Sequence, residues 1–310
     1  MAFTAADVKK LREMTNVGMM DCKKALTEAD GDFDKAIELL REKGLAKAAK
    51  KADRIAAEGV VCATVCDECG VGAVIEVNSE TDFVAKNADF QQFVSDLAGV
   101  VIKEAPADVE ALKACKMGDL TVQEVLQEKV LTIGENIQIR RFERFDESTV
   151  NVAYTHMGGV IGVLVGLQVS DNLKDNATVK ELGKDIGMQA AAMNPSFLDK
   201  SDVDEATLAK EKEILLVQAL EENKNAAKPK PEQIIHKMVE GRIGKYYEEN
   251  CLLQQAFVKE NKVSVEKHIA EVAKQLGGEI KLAKCVRFEK GEGIEKKQDD
   301  FAAEVASMAK

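Results

Sequence analysis

Tryptophan is absent from this 310-residue chain, proline occurs four times, and aromatic side chains make up only 5% of it. With so few helix breakers, and with Ala, Glu and Lys abundant, helix should prevail. No apolar run approaches the roughly 20 residues needed to span a bilayer, so no membrane role is expected. The first residues lack the charged-then-apolar pattern of an export signal. The seven cysteines are odd in number and scattered, which argues against a disulfide framework and for a reducing cytosol. No GxxxxGK[ST] phosphate loop occurs, and Gly291-Glu292-Gly293 opens no dinucleotide fingerprint. A net charge of −11 argues against gripping nucleic acid over a broad face, which requires phosphate neutralisation. Apolar residues at 45% and charged residues at 31% suit a globular protein of two or more structural units.

Residues 1–56 read as a helical module. The first helix, over 5–14, carries Val8, Leu11 and Met14 on one side. After a turn at 15–18, a helix over 19–29 faces Cys22, Ala25 and Leu26 inward. Asp30-Gly31-Asp32 is a turn and cap, and Phe33, Ile37 and Leu40 line a third helix. Gly44 is expected to break that helix, leaving 43–51 as a solvated helical linker. The period then changes. Residues 60–65 and 71–77 read as a hairpin, followed by a helix that Pro106 ends. Thr121-Val122-Gln123-Glu124 is a capping-box pattern opening another helix, and Ile137, Ile139 and Phe142 begin a strand. Residues 150–155 and 160–169, then a helix over 179–193, repeat the plan. Two polar helices joined by Lys228-Pro229-Lys230-Pro231 read as a protruding helical hairpin. A helix over 265–276, a strand over 279–288 and a tail helix over 299–308 complete the chain. The units are therefore placed at 1–56, 58–147, 148–290 with the hairpin inserted at about 200–246, and 291–310.

The junction Val77-Asn78-Ser79-Glu80-Thr81-Asp82-Phe83-Val84-Ala85-Lys86-Asn87 is where a strand gives way to a helix. Thr81 or Asp82 can cap the helix start by accepting its free N–H groups. Phe83 then sits in the first turn, where a side chain can project from a corner, whereas its spacing seven residues before Phe90 on pattern alone turns it inward. Three further runs stand out: Gly18-Met19-Met20-Asp21-Cys22-Lys23-Lys24-Ala25-Leu26, Ile161-Gly162-Val163-Leu164-Val165, and Phe288-Glu289-Lys290-Gly291-Glu292-Gly293-Ile294-Glu295-Lys296. Together with Thr81–Asn87 they resemble the bacterial elongation factor Ts family, in the family's order and over essentially the whole chain.

That resemblance implies an α+β fold: a ubiquitin-associated-like three-helix bundle, two small antiparallel-sheet-plus-helix subdomains, an inserted helical hairpin and a C-terminal helix. It implies exchange of guanine nucleotide on elongation factor Tu, with no covalent chemistry and no cofactor. Thr81, Asp82, Phe83 and Val84 would act at the partner's Mg²⁺ site, Phe83 supplying bulk and Asp82 a polar contact. Arg12, Met19, Met20, Lys23 and His156 would touch the partner elsewhere. A homodimer is left open. The rival readings are an adaptor whose first module binds ubiquitin-like or ribosomal partners, and a zinc enzyme built on Cys62, Cys66, Cys69 and His156. The zinc reading has one CxxC arm and lacks the second arm a structural site uses, so no metal is expected. No Ser or Cys is clearly paired with His156 for nucleophilic work, so it reads as a loop residue.

Overall fold

The structure, a computed structural model, describes residues 3–15, 17–225 and 229–295, with the backbone alone for 45–50. The tail helix expected over 299–308 lies outside the described residues, as does Lys228 of the hairpin tip. The fold is α+β.

Three helices come first: α1 (Ala5–Thr15), α2 (Met19–Glu28) and α3 (Phe33–Lys51). Asp32 starts α3 by accepting the N–H groups of Asp34 and Lys35, at 3.0 and 3.2 Å. Val8, Leu11, Cys22, Ala25, Leu26, Ala36 and Leu40 form the small core of this module. Gly44 does not break α3, contrary to the expectation from its type. The helix runs through it, because a glycine inside a helix costs only about 1 kcal/mol. Gly44 is buried, and a Cβ there would stand 3.5 Å from Leu131 Cδ2 on a later helix. That is an ordinary contact distance, and α3 packs along that helix.

The next unit runs β1 (Glu58–Val65), β2 (Gly72–Ser79), α4 (Asp82–Ala85), α5 (Ala88–Glu104), α6 (Val109–Ala114), β3 (Lys116–Met117), β4 (Leu120–Thr121), α7 (Val122–Ile133) and β5 (Gln138–Phe145). The capping box read at Thr121 and Glu124 is present at the start of α7. Its sheet has antiparallel order β1-β2-β5. The following unit runs β6 (Val150–His156), β7 (Ile161–Val169), α8 (Ala177–Met193), α9 (Glu205–Lys224), α10 (Glu232–Asn250), β8 (Ala256–Phe257), β9 (Glu260–Ser264), α11 (Val265–Leu276) and β10 (Ile280–Glu289). Its sheet has order β10-β7-β6. The two sheets share one plan. In each, the second strand is central and the last returns beside it with a single register shift, near Arg140 in one and Ala283 in the other. The paired strands β3–β4 and β8–β9, two residues long on one or both sides, had no counterpart in the sequence reading.

The sheets pack back to back. Val61, Val74, Phe145, Leu164 and Phe288 fill the layer between them, and α5 and α8 cover the outer faces. A Cβ on Gly162 would fall 2.5 Å from Cγ1 of the stiff Val61 side chain, and one on Gly72 would fall 2.7 Å from Leu164 Cδ1, which would have to move. β2 is buried on both faces, which is why it reads as a run of apolar residues rather than an alternation. Its one charge, Glu76, is fully buried. Glu76 accepts from Arg140 at 2.9 Å, Arg141 at 2.6 Å, Asn78 at 3.1 Å and the Gly291 N–H at 2.7 Å. Arg141 reaches on to Glu292 at 2.9 Å and lies over the Phe288 ring. Gly291 has φ +69°, and a Cβ there would strike the Ala57 carbonyl oxygen at 2.0 Å. This tie fastens residues 291–292 to the first sheet. The hairpin α9–α10 closes over its own small cluster of Ala219, Ile235 and Val239.

Candidate partner-binding surface

The junction after β2 is a corner built from paired loops. Thr81 is extended at φ −124° and caps α4, its hydroxyl oxygen accepting from the Val84 N–H at 3.4 Å. The same hydroxyl donates to Glu135 Oε1 at 2.6 Å. Glu135 Oε2 accepts the N–H groups of Glu80 and Thr81, both at 3.0 Å. In return Glu80 Oε1 accepts the Asn136 N–H at 2.6 Å. Each carboxylate thus satisfies the other loop's backbone, and the corner is locked to the turn that follows α7. Neither glutamate was singled out from sequence. They lie about fifty residues apart, and nothing local marks such a pair.

On this mount Ala85 is buried and Val84 packs against the first core. Phe83 points out, 82% exposed. The inward placement suggested by its seven-residue spacing from Phe90 is overturned. That spacing presumes one continuous helix. Instead α4 ends, Asn87 adopts extended backbone, and its side chain caps α5 by accepting from Asp89 and Phe90 at 2.8 and 3.2 Å. Phe90 follows the core-facing phase of α5, while Phe83 belongs to a separate short turn with a different phase. Asp82, half-buried, accepts from Lys86 Nζ at 2.6 Å. That hydrogen bond holds the Asp82 carboxyl below its ordinary value, and the nearby Lys290 charge adds to the effect. The carboxylate therefore stays ionised at neutral pH.

A groove of about 580 Å³ runs from Phe83, Val84 and Asn87 past Val125, Lys129 and Ile133 of α7 to Thr15 at the end of α1. Around that end the N-terminal module shows Arg12, Met19, Met20 and Lys23, all exposed. Met19 is 41% and Met20 64% exposed, because Cys22, Ala25 and Leu26 already fill the inner face of α2. His156 ends β6 in solvent, its ring stacked on Tyr154 and its Nδ1 3.1 Å from the Tyr154 hydroxyl. The turn after it carries Met157, 72% exposed. That turn is pinned to β1 by the Val61 N–H, which donates to the Gly159 carbonyl at 2.8 Å. The helix α4 packs on the same strand, so β1 carries both the Phe83 corner and the His156 turn. Met157 was not singled out from sequence, although a methionine beside a Gly pair is a visible signal.

Cys62 packs with the helix-side core of the first sheet, while Cys66 and Cys69 sit in the hairpin turn beyond it. Among the described residues no group of three or more His, Cys, Asp and Glu could hold a metal ion.

Glu135→Ala should release the corner. It strips acceptors from two backbone N–H groups and a hydroxyl, a loss worth about 1–3 kcal/mol. Urea unfolding should show that drop, with faster amide exchange concentrated at residues 80–84. An unchanged midpoint would mean the lock is not holding the corner.

Residues 80–292 match the family model described as Elongation factor TS. A protein named Elongation factor Ts from Clostridium perfringens (strain SM101 / Type A) is 52% identical over 307 residues, 98% of either chain. One of the same name from Syntrophotalea carbinolica is 49% identical over 313 residues, and one from Nitratiruptor sp. 47% over 312, each covering 100% of both chains.

Proposed function

Because this chain belongs to the elongation factor Ts family, and so to the translation elongation factors, we propose that it binds elongation factor Tu carrying GDP and speeds the release of that GDP. It makes and breaks no covalent bond. A GTPase of this kind holds its nucleotide through a phosphate loop and a Mg²⁺ ion bridging protein and phosphate. A partner that weakens those contacts must, by linkage, itself be held less tightly when nucleotide is bound. GTP entry then displaces it.

The observation that carries this reading is Phe83: a large aromatic side chain left in solvent on a corner locked by paired carboxylates. Aromatic side chains held rigidly at a surface are favoured anchors of protein–protein contacts. Phe83 supplies the bulk of a wedge beside the Mg²⁺ site. Asp82 supplies a charge, Thr81 fixes the approach, and Val84 roots the wedge in the core. Met19 and Met20, flexible and polarizable, give an adaptable grip on a second surface of the partner, flanked by Arg12 and Lys23. His156 and its turn make a third contact. The rigid sheet pair spaces the three.

Two measurements test this. Immobilised chain should retain elongation factor Tu from a cell extract and lose it on addition of GDP. Stopped-flow release of a fluorescent GDP should then be followed with wild type and with an Asp82→Ala, Phe83→Ala double variant, in millimolar Mg²⁺ and in chelator. The variant's deficit should shrink in chelator, where the ion no longer ties phosphate to protein. An equal deficit in both conditions moves the action to the phosphate loop or to domain positioning. Retention of other proteins without the GTPase supports the adaptor reading instead.

A further inference from the structure

The first hairpin turns through Cys66-Asp67-Glu68-Cys69-Gly70, at the end of β1 remote from the Phe83 corner. The Gly70 N–H donates to the Cys66 carbonyl at 2.9 Å, and the Cys66 N–H donates to the Val71 carbonyl at 2.9 Å. Such an i to i+4 bond is a single helical turn that is not continued. Side chains three apart on a helical turn lie on the same side, so the two thiols are neighbours. The Cys69 thiol and the N–H groups of the turn favour the ionised form of Cys66. Cys69 is exposed and Cys66 half-buried. A groove of about 250 Å³ bordered by both, with Glu147, Ser148, Lys174 and Lys180 across it, leaves the sulfurs reachable by a small molecule.

We propose that Cys66 and Cys69 are a reversible dithiol–disulfide site that exchanges with low-molecular-weight disulfides of the glutathione class. Cys66 is the attacking thiol. Its hydrogen bonds, led by that from the Cys69 thiol, hold it below its ordinary value, although the Glu68 charge opposes them. Burial pushes the thiols of Cys22, Cys62 and Cys115 up, that of Cys251 to about 11 and that of Cys285 to about 12. Thiolate is the nucleophile in exchange, so these five are protected and the turn is not.

The steps balance. Cys66 loses its proton to water and its thiolate attacks one sulfur of the small disulfide. A Cys66 mixed disulfide forms, and one thiolate leaves and takes up that proton. Cys69 then attacks the Cys66 sulfur, expelling the second small thiol, which takes the Cys69 proton. Two protein thiols are oxidised to one disulfide, and one small disulfide is reduced to two thiols. The reverse sequence restores the pair.

The test uses the full chain in glutathione buffers of stepped oxidised-to-reduced ratio, quenched in acid, alkylated and mapped by mass spectrometry. The peptide holding the turn should lose two hydrogens in one transition, as a Cys66–Cys69 bond, while the other five cysteines stay alkylatable. Cys69→Ser should stop at a glutathione adduct on Cys66. Cys66→Ser should form its adduct on Cys69 more slowly than Cys69→Ser forms its adduct on Cys66. The proposal is overturned if both thiols stay free at the most oxidising ratio, or if either bonds to another cysteine. Equal adduct rates in the two single variants would also overturn it.

Discussion

Truncating Phe83 to alanine should slow GDP release from elongation factor Tu by roughly tenfold or more, about 1.4 kcal/mol of lost barrier-lowering contact, while leaving the fold untouched. The two halves of that expectation come from one number. At 82% exposure the ring contributes little to the folded state, so its removal should shift stability by no more than about 0.5 kcal/mol. Phe90, with no exposed surface and seven residues away, is the control. Its truncation should cost about 3–5 kcal/mol, because a cavity opens in the core of the first sheet. Thermal melts of both variants, beside stopped-flow nucleotide release, separate the roles. Marked destabilisation by Phe83→Ala would place the ring in the core and remove the basis for the wedge. A stable variant with wild-type exchange would leave the corner intact and move the function to another surface.

Glu76→Ala should be among the most destabilising substitutions in the chain. It deletes the acceptor of four hydrogen bonds at a fully buried position. Arg140 and Arg141, each about two-thirds buried, would lose their shared anion, and the Gly291 N–H its partner. Removing one side of a buried ion pair costs about 3–5 kcal/mol, because the remaining charges stay in a poor solvent. Glu76→Gln should recover part of this, since an amide oxygen still accepts hydrogen bonds although the charge is gone. Urea unfolding of the two variants gives the comparison. Limited proteolysis should in addition cut near residue 291 in the alanine variant, where the tie to the first sheet is lost. A loss below about 1 kcal/mol for Glu76→Ala would mean the arginines find water or other acceptors, as exposed pairs do.

The elements with long regular patterns were legible. The apolar spacing of α5 and α11, the capping box of α7 and both main hairpins follow from residues close together in the chain. Gly44 misled because glycine's helix penalty is small enough for the packing of α3 on α7 to override it. Phe83 misled on pattern because periodicity assumes an unbroken helix, and the Asn87 cap that ends the assumption has only one turn on its N-terminal side.

The sequence by itself determined the alternation of strands and helices, the duplicated strand–strand–helix plan, and the family, since these rest on local spacing and on motifs in order. Only the tertiary structure decided which way Phe83 points, which carboxylates lock its corner, and what Glu76 balances. The last two depend on groups about fifty to two hundred residues apart meeting in a poorly solvated setting. Hydrogen-bond satisfaction there is a property of the packed whole, and no window of the chain contains both partners.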